Sequence, residues 1–371
     1  MKNLLKKVFV LGLASAMLLL SGCGGKQTSN SSVKGTAAQS TTIQKYHWKM
    51  VTSWPKNFPG LGMAPEKFAK HVNEMSGGRL TIQVYGAGEL VPGFEVFDAV
   101  SQGTVQMGHS GAYYWKGKIP ASPLFGALPF GMTATELNAW LYYGGGMELY
   151  REMYKPFGII PMAGGNTGAQ FGGWFKKEIN SMDDLKGLKM RIPGLAGDVL
   201  KKAGAIPVNL TGGEIFSSLQ SGAIDATEWV GPYNDLAFGF YQAADYYYTS
   251  VWHEPSAGLE FLINEKAFNS LPKDLQQIII VAARAVNEDT LDEYNARNNS
   301  ALKTLVEEHH VKLRQFPPAV LAQLKKYTAE VMAEQAAKDA GFAKVWKSYS
   351  EFLANIRSYN DLTLKEYYKN R

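Results

Sequence analysis

Three kinds of residue in this chain invite chemistry: amides inside a glycine-rich stretch, an arginine alone in an apolar strand, and glutamates beside large aromatics. The stretch is "GGNTGAQFGGWF", Gly164 to Phe175. A phosphate loop needs a Lys followed by Ser or Thr after its glycines, and a dinucleotide loop needs GxGxxG between strand and helix. Neither pattern is present, and aromatics follow where a helix should start. Glycine lets a backbone turn closely under a ligand while Asn166 and Gln170 point amides into it, and a plain structural turn accounts for the same residues equally well. In "LKMRIPG", Arg191 ends an apolar strand just before Pro193 and Gly194, where open α/β sheets bind ligands. Its planar fork matches a carboxylate bidentately. An edge salt bridge is the plainer alternative.

In "DATEWVGPYND" (225 to 235), Glu228 stands at a strand's end beside Trp229, with a turn forced by Gly231 and Pro232. Burying a carboxylate there calls for a donor or cation, and an Arg would serve as well as a metal. "VWHEPSAGLEF" adds His253 and Glu254, with Glu260 as a second acidic candidate. Glu228, Glu254 and the Gln170 amide oxygen are the hard donors that Na⁺ or Ca²⁺ prefers. "HSGAYYW" (109 to 115) offers an aromatic wall or plain core. Catalytic signatures are missing: there is no HExxH and no GxSxG elbow. Glu228 and Glu254 could be the acid and base of a hydrolase, which their separation would decide.

The elements that position these residues alternate between strand and helix. Strands are expected at 46–52, 79–86, 105–110, 158–164, 188–192, 206–210 and 223–229, and helices at 64–78, 93–102, 133–156, 197–204 and 212–222. Such a rhythm, run twice, predicts two α/β lobes. We place the first at 46–160 with about 230–250, and the second at 161–229 with about 251–271. From 272 to 311, Leu275, Ile278, Ile279, Ala282, Ala283, Val286, Leu291, Tyr294, Leu302 and Leu305 keep helical spacing without Gly or Pro. This predicts a helix of roughly 57 Å lying across both lobes, or two helices broken near "NARNNS" (295 to 300). Residues 312–371 read as C-terminal helices.

The 371 residues are 46% hydrophobic and 19% charged, as expected for a well-packed two-domain protein. Residues 1–22 carry Lys2, Lys6 and Lys7 before an apolar run and small residues, the pattern of a secretory signal rather than a spanning helix. Removing them takes three lysines and no acid, so a net charge of +5 becomes +2. No basic run with interleaved aromatics follows, which argues against nucleic acid as a partner. The single cysteine, Cys23, ends "LSGC", which looks like a bacterial lipobox, and residues 23–45 then read as a lipidated Cys and flexible tether.

From about residue 46 to 345 the chain resembles the solute receptors of tripartite ATP-independent periplasmic (TRAP) transporters, in the branch binding 2-oxo and 2-hydroxy monocarboxylates such as pyruvate and lactate. "GGNTGAQFGGWF", "DLKGLKMRIPG" and "EWVGPYND" carry the likeness. The resemblance implies a periplasmic-binding-protein-like α/β fold of two lobes, joined by crossing strands and a long helix and closing by a hinge. It implies that Arg191 clamps the substrate carboxylate. Gln170, Glu228, the main-chain carbonyl of Trp229 and Glu254 would hold a cation, Na⁺ or Ca²⁺, that bridges to the ligand, with Asn166, Tyr113 and Phe171 lining the pocket. The receptor would be lipid-anchored outside the cytoplasmic membrane, deliver its monocarboxylate to a TRAP permease and catalyse nothing. Two rivals remain at this point: a receptor of an ATP-driven importer for an amino acid or sugar, and a secreted hydrolase using Glu228 and Glu254. Whether the C-terminal helices pair two copies as a homodimer is left open.

Overall fold

A computed structural model describes residues 44–371, so the signal segment, Cys23 and almost all of the tether lie outside the described residues. The first strand, β1 (Tyr46–Thr52), buries Trp48 and Met50 by simple alternation. It pairs in parallel with β2 (Leu80–Tyr85) and β3 (Met107–Gly111). β4 (Ile159–Asn166) completes this stretch of chain, which then passes to a second sheet through residues 167–172. There it forms β5 (Gly173–Phe175), β6 (Lys189–Arg191), β7 (Ile206–Val208), β8 (Ala226–Thr227) and β9 (Tyr246–Tyr248). Residues 249–257 carry it back to β10 (Gly258–Asn264), and β11 (Lys312–Arg314) rejoins the second sheet. The sheet orders are β2-β1-β3-β10-β4 and β11-β9-β5-β8-β6-β7.

This connectivity corrects the expected lobe membership. Residues 246–248 pair with β5 and β11 in the second sheet, so the segment 230–250 does not return to the first lobe. Residues 258–264 lie antiparallel between β3 and β4 in the first sheet, not in the second lobe. β4 itself runs to Asn166, past the boundary expected at 160. The helix expected at 133–156 is two, Ala134–Tyr143 and Gly146–Tyr154, because Gly145 takes a left-handed φ of 84° between them.

The long helix is continuous from Lys273 to Glu307, 35 residues or about 52 Å. Its first half buries Leu275, Ile279 and Val286 with Phe68, Val72 and Phe261 of the first sheet's core. Its second half buries Tyr294 and Leu305 with Trp174, Leu219 and Tyr247 of the second. The polar stretch near 295–300 does not break it, since Asn298 accepts a hydrogen bond from the Tyr233 amide (3.0 Å) while Tyr294 and Ala301 stay buried. Helix Pro318–Lys338 then packs on helix Gly194–Lys202, and Ala340–Leu362 on Gly146–Tyr154, so the C-terminal pair also joins the two halves. No described helix is long and apolar enough to cross a membrane.

Candidate functional site

The parallel strands of both sheets end at one cleft. β6 and β8 run in parallel with Arg191 opposite Thr227, so the residue after Thr227 is brought to the arginine: the Glu228 amide donates to the Arg191 carbonyl (3.2 Å). From the first sheet, the end of β1 supplies Trp54 and the turn after β3 supplies Tyr113 and Tyr114. The site therefore obeys the rule that open sheets bind beyond the carboxyl ends of their strands. The two crossing segments form its floor, held together where the Thr167 amide donates to Ala257 O and the Gln170 amide to Glu254 O (both 3.1 Å). Glycine is required here for backbone reasons. Gly168 has φ +69°, and at Gly173 (φ +110°) a Cβ would sit 2.4 Å from the Thr227 carbonyl oxygen.

Arg191 is 1% exposed. Nε donates to Leu210 O (3.2 Å), Nη1 to the Glu228 carboxylate and carbonyl, and Nη2 to the hydroxyl of Tyr114 (3.1 Å) across the cleft. The guanidinium lies 4.9 Å from the Trp229 ring centroid, within cation–π range. So the edge salt bridge considered from sequence is instead a buried ion pair that lines the cleft. Burial opposes the charge on Arg191, but Glu228, Tyr114, Tyr113 and Glu254 together outweigh it and raise the guanidinium above its ordinary range. Tyr114 is pushed up to about 12, chiefly by burial, so it stays a neutral hydroxyl. Glu254 is 4% exposed, and its carboxyl is held well above the ordinary range by burial first and the Glu228 charge second, with Arg191 pulling the other way.

Several buried polar atoms here lack a partner among the described residues: Gln170 Oε1, Trp229 Nε1 and both ring nitrogens of His253. Buried polar groups nearly always find one, and Gln170 and Trp229 line the cleft, which suits a bound group there. Gln170 donates its Nε2 to Thr167 Oγ1 (2.9 Å), which leaves Oε1 as the free acceptor. Glu228, His253 and Glu254 each offer a donor atom within 4.8 Å of the others. Carboxylate and amide oxygens with a free acceptor fit a hard cation, whose charge would also relieve the crowding that raises Glu254.

Of the residues expected from sequence, Tyr113, Gln170, Arg191, Glu228, Trp229 and Glu254 line this single cleft. Asn166 and Phe171 are not among its lining residues. The Asn166 Oδ1 accepts from the Gly168 amide (2.9 Å) and so fixes the turn, while Phe171 packs 5.0 Å from the Tyr247 ring in the second core. Glu260, the alternative to Glu254, bonds to Trp115 and Tyr150 in the first sheet and is pushed up to about 7 by burial. Tyr114, Thr167 and Trp54 were not singled out for the site, and His253 was named beside Glu254 without being given a ligand role. The "AYYW" run hinted at Tyr114 alone.

The profile of the bacterial extracellular solute-binding proteins of family 7 matches residues 50–339. The chain belongs to this family. It is 43% identical over 348 residues to the monocarboxylate 2-oxoacid-binding periplasmic protein of Nostoc sp., a match spanning 94% of this chain and 93% of that protein. A TRAP periplasmic solute-binding protein of Pseudoalteromonas atlantica, solved with bound sodium and pyruvate, superposes with a TM-score of 0.87 at 46% identity, covering 88% of this chain and all (100%) of the other. That of Colwellia psychrerythraea, with bound calcium and pyruvate, gives 0.86 at 47% identity with the same coverage, 88% and 100%. The two-lobed α/β architecture with C-terminal helices is thus that of TRAP receptors, and family 7 proteins bind solutes outside the cytoplasm.

Proposed function

We propose that this family 7 chain is the solute receptor of a TRAP transporter, capturing a small 2-oxo monocarboxylate of the pyruvate kind with Na⁺ or Ca²⁺ and passing it to the membrane permease. 2-Hydroxy acids such as lactate are the nearest competitors. The observation that carries this reading is Arg191, buried in a shut cleft opposite the free oxygen of Gln170 and two glutamates. In it, Arg191 takes the ligand carboxylate. Gln170 Oε1, Glu228, the Trp229 carbonyl and Glu254 hold the cation, and Tyr113 and Tyr114 close over the ligand from the first sheet.

Charge explains why an ion accompanies the acid. Arg191 already answers Glu228, so a second carboxylate would enter a pocket without a free positive charge. Ca²⁺ balances the ligand and an ionised Glu254 together, whereas Na⁺ balances the ligand while Glu254 keeps its proton. Anion and cation binding therefore reinforce each other.

Turnover is not part of this reading. Glu228 is committed to Arg191. The "LSGC" motif supports lipidation at Cys23 and a tethered receptor. All the site's residues come from one chain, so a pairing of copies is not needed for capture. Calorimetric titration with pyruvate, lactate, an amino acid and a sugar, each with and without Ca²⁺ or Na⁺, tests the proposal. Cation-dependent binding of the 2-oxo acid is expected, and failure of every 2-oxo and 2-hydroxy acid to bind with either ion would overturn it.

A further inference from the structure

The cation reading above uses oxygen donors alone, yet a nitrogen stands beside them. His253 is 0% exposed, and neither Nδ1 nor Nε2 has a hydrogen-bond partner among the described residues. Its Nε2 lies 3.4 Å from Glu228 Oε2. The backbone on both flanks is fixed: the Phe130 amide donates to Trp252 O (2.7 Å) and the Gln170 amide to Glu254 O (3.1 Å). The backbone that carries the ring is therefore held at the crossing.

A neutral imidazole has one N–H and one lone pair, and a buried ring using neither is unusual. A lone pair beside two carboxylates is the mixed nitrogen and oxygen set that borderline divalent ions take, whereas Na⁺ and Ca²⁺ prefer oxygen. Two donors on one such ion stand at most about 4.4 Å apart. The triad's spread of 4.8 Å needs only a small side-chain rotation to close on it.

We infer that this position is also a site for a borderline divalent ion, Co²⁺, Ni²⁺, Cu²⁺ or Zn²⁺, with His253 as nitrogen ligand beside the carboxylates of Glu228 and Glu254. The inference rests on the cation half of the proposed function and widens the class of ion that the receptor accepts. Hard ions leave the imidazole idle, and borderline ions engage it.

The test titrates each metal alone into the full chain, into His253→Ala and into His253→Gln, with pulsed electron paramagnetic resonance of the Cu²⁺ complex. The wild type should show ¹⁴N coupling from one imidazole, lost in both variants. Affinity for Co²⁺ and Ni²⁺ should fall tenfold or more in the variants while Ca²⁺ affinity changes less than about twofold. Nitrogen coupling absent from the wild type, or persisting without His253, would overturn the inference, as would a parallel loss of Ca²⁺ and Co²⁺. Should the alanine variant fail to fold, the wild-type spectrum and the glutamine variant still decide. A parallel pyruvate titration of the wild type with Ca²⁺ keeps the outcomes separate: no pyruvate binding would defeat the receptor reading, while nitrogen coupling would stand on its own.

Discussion

At Arg191, one guanidinium serves a protein carboxylate and, on the proposed reading, a ligand carboxylate as well. Replacing it with Ala removes the clamp and leaves Glu228 buried without its cation, which should cost roughly 2–5 kcal/mol of ligand binding, about 30-fold or more in Kd. Arg191→Lys should recover little, because a point charge cannot reproduce a fork that reaches Leu210, Glu228 and Tyr114 together. Calorimetry on both variants checks this, and an unchanged Kd for either would remove the fork from the site. Glu254 supplies a pH test. Its carboxyl is raised, so it holds a proton where an ordinary glutamate would not, and that proton competes with Ca²⁺. Ca²⁺ affinity should climb with pH until Glu254 is ionised, with protons released on binding. Titration in buffers of different ionisation enthalpy would reveal them, and a pH-independent affinity with no proton release would contradict the assignment.

Among the elements, the helix Lys273–Glu307 ties both cores together, so its continuity through 295–300 matters. Ala296 is exposed there and touches neither core. Proline at this position should cost about 3 kcal/mol or more by breaking the helix, whereas glycine should cost only about 1 kcal/mol; chemical denaturation distinguishes them, and equal effects would mean the helix bears no strain at that point. This segment also shows what the sequence could and could not tell. Its helical spacing was legible from the apolar face, but the rise in polarity near 295–300 left continuity open because Asn298 serves the Tyr233 amide, a partner distant in sequence. β1 and β2 were legible from alternation. β10 was not, since a strand buried on both faces does not alternate and Glu260 sits within it. Without β9 and β10, the return crossing fell in the wrong place. Arg191 and Glu228 could be found because glycine and proline punctuate the ends of their strands. Tyr114 could not, because only the approach of the two halves brings its hydroxyl to Arg191.

For the molecule as a whole, capture depends on contacts that bridge the cleft away from the ligand. Phe58 stacks on Phe238 with centroids 4.2 Å apart, Asn234 Nδ2 donates to Pro59 O (2.9 Å), and Lys116 pairs with Asp198 (2.7 Å) on the other side. Rotation about the crossings at 167–172 and 249–257 would part all three, so each favours the shut state without touching the ligand. Phe58→Ala should therefore raise Kd about 2- to 12-fold, the worth of an aromatic pair, mainly through faster release; stopped-flow kinetics would show it, and an unchanged release rate would mean closure is set elsewhere. The half-exposed Lys116 and Asp198 pair should contribute less, and less still at high salt. The central claim is that a carboxylate on Arg191 and an ion on Gln170, Glu228, Trp229 and Glu254 share this cleft. Diffraction from crystals grown with pyruvate and Ca²⁺ tests it most directly. The account predicts a carboxylate oxygen on Arg191 Nη2 and an anomalous calcium peak among those four oxygen donors, and pyruvate elsewhere, or an ion outside the cleft, would contradict it.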